Sequence, residues 1–306
     1  MSALNVRADG TYMDATFGRG GHARLILERL GSRGLLIALD ADPDAIAFGE
    51  REFGGDARLR LVRCNFRDLG AVVRDLAPEA GVDGILMDLG VSSPQLDSPE
   101  RGFSFRHDGP LDMRLDPDAG TSAADWLADV DEARLVKVLF ELGEEKFSRR
   151  IARAIVETRQ SEPIRTTAAL AALVEKAVPA GAARASRIHP ATRTFQAIRI
   201  AVNAELDALD EALQAAIDAL APAGRLVVIS FHSLEDRRVK QAIREASSAP
   251  PASRRMPSAP SFSPRLKTIG KLVRPTKEEE SINPRARSAR MRVAERLADA
   301  PVGGSA

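Results

Sequence analysis

Residues Val82–Asp97 read VDGILMDLGVSSPQLD. An apolar run, Ile85-Leu86-Met87, drives into an acid, Asp88, and the chain then turns through Gly90, Ser92, Ser93 and Pro94. A buried strand that ends in a carboxylate at the mouth of a turn is how an open α/β sheet presents chemistry at its carboxyl edge. The same pattern recurs upstream. Thr11–Ala15 is a short strand with an acid, Asp14, near its end, feeding a glycine turn, Gly18-Arg19-Gly20-Gly21-His22, and a helix over Ala23–Leu30. Gly34–Leu39 is a continuous apolar strand closed by Asp40, and Pro43 opens the next helix with Asp42 as its cap. Leu59–Asn65 is a third strand, followed by Phe66, and a helix through Leu76 leads back to the opening stretch. Strands alternating with helices imply a parallel, doubly wound sheet.

Downstream the alternation breaks. Arg101–Gly120 has turn chemistry without periodicity. Ala124–Leu142, Ser148–Arg159, Thr167–Val178 and Arg193–Leu220 carry apolar residues at helical spacing, with no strand between them. Gly224–Ser230 returns to strand character, and Arg290–Glu295 reads as a final edge strand. The simplest architecture is an α/β domain over 1–107 and 205–296, interrupted by a helical domain over 108–204. The Ser, Pro and Ala content of Ser247–Pro264 predicts a mobile loop, and 297–306 a frayed tail.

Apolar residues make up 44% of the 306-residue chain, enough for a large core, and the formal net charge is only +1. That total hides an asymmetry. Asp97–Glu132 holds ten acids against three Arg, Lys146–Arg199 eleven bases against three acids, and Arg237–Arg274 ten bases against one acid. Two basic segments point to a polyanionic partner, although solvated helix faces would account for either alone. One cysteine, Cys64, excludes a disulfide framework and a cysteine zinc site, and its apolar strand makes it an inert core thiol. His107 and His189 show no metal-ligand spacing, so no metal is expected. No apolar run approaches the roughly 20 residues of a membrane span, and the first ten residues lack a signal-peptide core. A cytoplasmic protein is expected.

Gly18-x-Gly20-x-x-Ala23 matches the dinucleotide fingerprint, and Asp40, some twenty residues on, is placed to hold a ribose diol. Those features serve a nicotinamide enzyme or an S-adenosylmethionine enzyme alike. Asp14, before the turn, favours the second: a sulfonium cofactor carries an ammonium group that a carboxylate attracts, whereas a pyrophosphate would be repelled. A plain turn-forming role for Asp14 stays open. Phe66 is placed to pack on an adenine or to close the core. Asp40, Phe66 and Asp88 share one topological position, and the set is more specific than any member.

The stretches YMDATFGRGGHA (Tyr12–Ala23), DGILMDLGVSSPQLD (Asp83–Asp97), RGFSFRHDGPLDMR (Arg101–Arg114), HPATRTFQAIRIAVNAEL (His189–Leu206), GRLVVISFHSLEDRRVK (Gly224–Lys240) and RPTKEEESINPRARSARMRVAER (Arg274–Arg296) resemble the bacterial 16S ribosomal RNA (cytosine(1402)-N4)-methyltransferase family. The resemblance implies a Rossmann-like S-adenosylmethionine-dependent methyltransferase fold with an inserted all-α substrate-recognition domain. It implies methyl transfer from S-adenosyl-L-methionine to cytosine N4 in 16S rRNA of the small ribosomal subunit. The family's cofactor contacts fall on Gly20, Gly21, His22, Asp40, Phe66, Asp88 and Gln95. Family members carry an N-terminal segment before the first strand, and this chain starts ten residues before its own. A methyltransferase acting on a small molecule and a non-catalytic ribosome assembly factor are the alternatives, and a homodimer stays open.

The exocyclic amine of cytosine is a poor nucleophile, because its lone pair is delocalised into the ring. In-line alignment with an activated methyl donor contributes roughly 7–11 kcal/mol, and an acceptor beside the amine raises its electron density. The turn from Asp88 through Ser92 and Ser93 is the candidate for both tasks. Many amino-methyltransferases carry an aromatic in the motif that follows this acid. Here Asp88-Leu89-Gly90-Val91 has none, and Phe103 or Phe105 is the candidate stacking surface. Asp112 and Arg114 pin a loop or form an ordinary ion pair. Arg149, Arg150 and Arg153 fall on one helical face, and Arg184, Arg187, Arg193 and Arg199 extend the basic surface for phosphate contact. His232, after the Gly224–Ser230 strand, is a candidate RNA contact or a satisfied turn histidine. Calorimetric titration should show S-adenosylmethionine binding and no NAD binding; the reverse would refute the reading of Asp14.

Overall fold

A computed structural model describes residues 1–77, 79–186, 188–249 and 262–298. It divides into two compact units, Met1–Gly90 with Leu206 onward, and Val91–Glu205. The α/β unit opens with β1 (Thr11–Asp14), α1 (Gly21–Leu27), β2 (Leu35–Asp40), α2 (Pro43–Phe53), β3 (Leu59–Arg63), α3 (Leu69–Leu76) and β4 (Val82–Asp88). The helical unit follows with α4 (Ser93–Asp97), α5 (Ala123–Asp129), α6 (Glu132–Glu141), α7 (Ser148–Arg159), α8 (Thr167–Ala177), α9 (Ala180–Ala185) and α10 (Ala191–Val202). The chain then re-enters the first unit through α11 (Glu205–Ala219), β5 (Leu220–Ser230), α12 (Ser233–Ser247), β6 (Leu266–Thr268), α13 (Lys277–Ile282) and β7 (Arg290–Arg296).

The seven strands lie in the order β3-β2-β1-β4-β5-β7-β6. β1 through β5 are mutually parallel, and β7 runs against both β5 and β6. This is a Rossmann-like α/β fold with one antiparallel strand, β7, inserted beside β5. Period-2 alternation along each strand feeds two cores. Met13, Ile37, Ile85, Met87, Leu226 and Val228 face one side, where Leu213, Ile217, Val239 and Ile243 of α11 and α12 cover them. Tyr12, Leu36, Ala38, Leu86, Val227 and Val293 face the other, with Ile26 of α1 and Phe53 of α2. The crossovers diverge between β1 and β4, so the strand order reverses there. That reversal is where an open α/β sheet leaves a crevice at its carboxyl edge.

Several expectations change. β7 is an inner strand; the edge is β6, three residues too short to show alternation. β5 starts at Leu220 instead of Gly224, with a register shift against β4 between Val82 and Gly84. The helix expected over Ala124–Leu142 is two, because Asp131 stops one and caps the next by accepting the Arg134 N–H at 2.8 Å. The helix expected over Arg193–Leu220 also breaks. Asn203 donates to the Met113 and Arg199 carbonyls and accepts the Leu115 N–H, and Ala204 takes a φ of 46°.

The helical unit begins at Val91, where the sequence reading put 108. The reason is packing: Val91, Leu96, Phe103 and Phe105 all join the core built around Leu135, Leu139, Ile151 and Ile198. Phe103 is therefore a core residue and not an open stacking surface. Phe105 lies against the His189 and Phe195 rings, with centroids at 4.5 and 4.8 Å. Residues 250–261 of the expected mobile loop and 299–306 of the expected tail lie outside the described residues. Among the described residues no helix is long and apolar enough to cross a membrane. Ile85 is fully buried in the central strand. Ile85→Ala should cost about 2–5 kcal/mol of unfolding free energy, read as a lower urea midpoint with unchanged slope; a loss well below 1 kcal/mol would contradict this packing.

Candidate functional site at the carboxyl edge of the sheet

The site grows from the ends of β1, β2 and β4. Asp14 closes β1 and is wholly buried. One of its oxygens, Oδ1, accepts the Thr16 N–H at 3.1 Å, while Oδ2 is buried with no hydrogen-bond partner among the described residues. Burial pushes its carboxyl up to about 6, against the pull of His22. Asp88 closes β4. Its N–H donates to Thr16 Oγ1 at 2.7 Å, its Oδ2 lies 3.1 Å from His22 Nε2, and its Oδ1 is buried without a hydrogen-bond partner among the described residues. The Asp88 hydrogen bond raises the His22 pKa above its ordinary value, against burial. Thr16 thus ties the two strand ends together. The Asp14-Ala15-Thr16 spacing, a local side-chain-to-backbone turn, was its only trace in the sequence.

The glycine turn is wired to β2. Gly18 N–H donates to Asp40 Oδ2 at 2.7 Å, and Asp42 N–H donates to Oδ1 at 2.8 Å. Each carboxylate oxygen keeps further acceptor capacity. Burial raises the Asp40 pKa against these donors. Gly20 precedes α1 with a φ of 69°, and a Cβ there would meet the Phe53 ring at 2.7 Å, so only glycine fits. A Cβ at Gly21 would meet nothing within 4 Å, so its backbone faces open space. Phe66 opens a one-turn helix capped by Asn65 and sits half-buried against the core. Cys64 is a half-buried thiol pushed up to about 11 by burial.

The structure therefore gathers Asp14, His22 and Asp88 in direct reach, with Gly20, Gly21, Asp40 and Phe66 on the same edge of the same unit. The remaining candidates belong to the helical unit. Ser92 caps α4, Ser93 is exposed at its first position, and the buried Gln95 accepts the Ser92 N–H at 2.9 Å. Arg149, Arg150 and Arg153 are exposed on α7, opposite its buried Ile151, Ala152 and Ile155. Arg184 is exposed and Arg193 half-buried, while Arg187 lies outside the described residues. Arg199 leaves the basic surface, because its guanidinium makes a two-pronged pair with Glu205 at 2.8 Å. Asp112 and Arg114 form an ion pair within the loop. In the α/β unit, His232 caps α12 by accepting the Glu235 N–H. That is the turn role for Nδ1, while Nε2 lies 3.1 Å from Glu235 Oε1 without a hydrogen bond among the described residues, and the ring also lines a cavity.

This arrangement of strand-end acids around a glycine turn coincides with a match across residues 1–297 to the MraW methylase family. The chain belongs to that family. It is 55% identical over 297 residues to the ribosomal RNA small subunit methyltransferase H of Xanthomonas oryzae pv. oryzae (strain PXO99A), covering 97% of this chain and 86% of that one. It is 54% identical to the protein of the same name from Xylella fastidiosa (strain M12), covering 97% and 94%. Among solved structures, an rRNA methylase from Streptococcus thermophilus superposes with a TM-score of 0.42 at 11% identity, covering 96% of this chain and 90% of that one.

The raised Asp14 pKa carries a signed consequence for this methylase-family chain. The native state binds the Asp14 proton more tightly than the unfolded state, whose value lies near 3.8. Its stabilising contribution is present below that pH and is lost as pH rises through about 6. Asp14→Asn keeps the Thr16 acceptor and removes the titration. Between about pH 4 and pH 7 the variant should gain about 3 kcal/mol relative to the parent in urea unfolding. Parallel stability profiles would contradict the assignment.

Proposed function

We propose that the chain transfers a methyl group from S-adenosyl-L-methionine to N4 of cytosine 1402 in 16S rRNA of the small ribosomal subunit. The observation that carries this reading is the pair of buried, unpartnered carboxylate oxygens, Asp14 Oδ2 and Asp88 Oδ1, flanking the glycine turn. Unsatisfied buried acceptors are costly, and the cost is offset where a ligand supplies the donor. The ammonium end of the cofactor suits Asp14, its ribose diol suits Asp40, and its adenine suits the half-buried Phe66. Gly21 leaves open backbone for it, and Gly20 allows the turn that presents it. Family position adds His22, Asp88 and Gln95 to the set. When bound, the cofactor supplies a methyl group already activated on sulfur.

The protein's own task is then alignment and proton acceptance. His22 holds Asp88 Oδ2, which orients the carboxylate and leaves Oδ1 to accept an N4 hydrogen of cytosine. That contact raises electron density on the nitrogen and gives its departing proton a destination. The names of the relatives support a ribosomal RNA substrate, and the exposed arginines of α7 suit its phosphates. With ribosomal RNA as substrate, the place of action is the cytoplasm.

The test is methyl transfer from labelled cofactor to small subunits and to naked ribosomal RNA, with the modified base located by mass analysis. Label should appear at cytosine N4 in one of the two substrates, and Asp88→Ala should lower the rate at least about a hundredfold. Label in neither substrate would overturn the proposal.

A further inference from the structure

The α/β unit carries a second basic feature, separate from the strand-end acids. A cavity of about 290 Å³ opens beside the carboxyl end of β5, lined by Phe231, His232, Arg274, Arg287, Ser288 and Arg290 among others. Its walls come from three separate segments: the β5–α12 turn, the stretch before α13, and the turn leading into β7. Among the described residues no acid lines it, although Glu278, Glu279 and Glu280 lie between two of its arginines in sequence.

The charge there is not self-cancelling. Two acids border the cavity: Glu235 is taken up by the Phe231 and His232 N–H groups and by His232 Nε2 at 3.1 Å, and Asp236 is shared by Arg290 and Arg292 at 3.1 and 2.7 Å, which leaves Arg274 and Arg287 uncompensated. Arg274 and Arg287 are exposed and have no hydrogen-bond or ion-pair partner among the described residues. Like-charged guanidiniums converging on one concavity repel one another, and an anion relieves the repulsion. A planar guanidinium fork matches the oxygen geometry of a phosphate in particular.

Position favours one source of that phosphate. Ser230 pairs with Arg290 across β5 and β7, and Ile229 pairs with Asp88 across β5 and β4. The cavity is therefore lined by the turn after β5, the strand next to the one that ends in Asp88, and by Arg290 of β7, one strand further on. A nucleic-acid strand that presents one base to Asp88 carries its neighbouring phosphates past this point. We propose that the Arg274–Arg287 cavity is a phosphodiester subsite that grips the RNA strand beside the target nucleotide. This rests on the RNA-methylation reading above, and assigns the two arginines a positioning role outside the reacting centre.

The test uses the full chain, unmodified small subunits and a radiolabelled ribosomal RNA fragment. Arg274→Gln and Arg287→Gln should each lower the slope of log affinity against log salt by about one. Each should raise the KM for subunits roughly tenfold, with a much smaller change in kcat. Arg274→Lys and Arg287→Lys should keep the salt slope, because they keep the charge. Arg33→Gln, an exposed arginine at the opposite edge of the sheet, should change neither quantity. Calorimetric binding of S-adenosylmethionine by every variant reports that the unit is folded. Glutamine variants that bind cofactor but keep the parental salt slope and KM would overturn the subsite. A parent enzyme that labels no RNA, while the glutamine variants still lose salt slope, would overturn the methylation reading and leave the subsite standing.

Discussion

The parallel pairing of β1 with β4 is the constraint on which the site depends. Tyr12, Met13 and Asp14 lie opposite Gly84, Ile85 and Leu86, so both strands reach the same edge together. Their crossovers leave in opposite directions. Thr16 spans the gap between the strand ends with its hydroxyl and its N–H. Asp14, Asp88 and His22 are then held near one another by backbone geometry, not by flexible reach. The glycine turn can be open because Gly20 packs flat against Phe53 and Asp40 holds the Gly18 amide.

Function and stability pull against each other at this edge. A wholly buried carboxylate with one unpartnered oxygen is unfavourable in the folded state, and the raised Asp14 pKa expresses that cost. The surrounding sheet compensates. Ile37, Ile85, Met87 and Val228 are fully buried within a few residues of the acids and supply apolar burial the site itself cannot. The same division holds in α7, where Ile151, Ala152 and Ile155 stabilise one face and leave Arg149, Arg150 and Arg153 on the other.

The strand-end acids and the glycine turn were legible because each depends on local chemistry. An apolar run closing on Asp40 or Asp88 states its own direction, and Gly18 and Gly20 announce positive φ. Features set by distant partners were not legible. Asn203 breaks a helix because Met113 and Leu115 are close in space, ninety residues away in sequence. Arg199 reads as surface charge until Glu205 is seen gripping it. Phe103 reads as an available ring until the helical core encloses it. β6 has three residues, too few for any period, and its existence moves β7 from edge to interior. The Arg274 and Arg287 cavity is assembled from segments that no sequence spacing connects.

The separation of β4 from β5 by the whole of residues 91–205 has a kinetic meaning. These two strands pair over most of their length, yet their contact closes a very long loop of chain. Loop closure of that size is entropically slow, whereas contacts within the helical unit close shorter loops, from neighbouring α6 and α7 up to the Met113–Asn203 contact. A helical unit that condenses first shortens the effective loop and brings Gly90 and Leu206 within reach of a common sheet. On the ribosome, β5 can join β4 only after the helical unit has emerged, and β7 completes the sheet last. Slowing or weakening the inserted helices would therefore expose the β4 edge for longer during synthesis, making aggregation, before any loss of chemistry, the first failure of such variants.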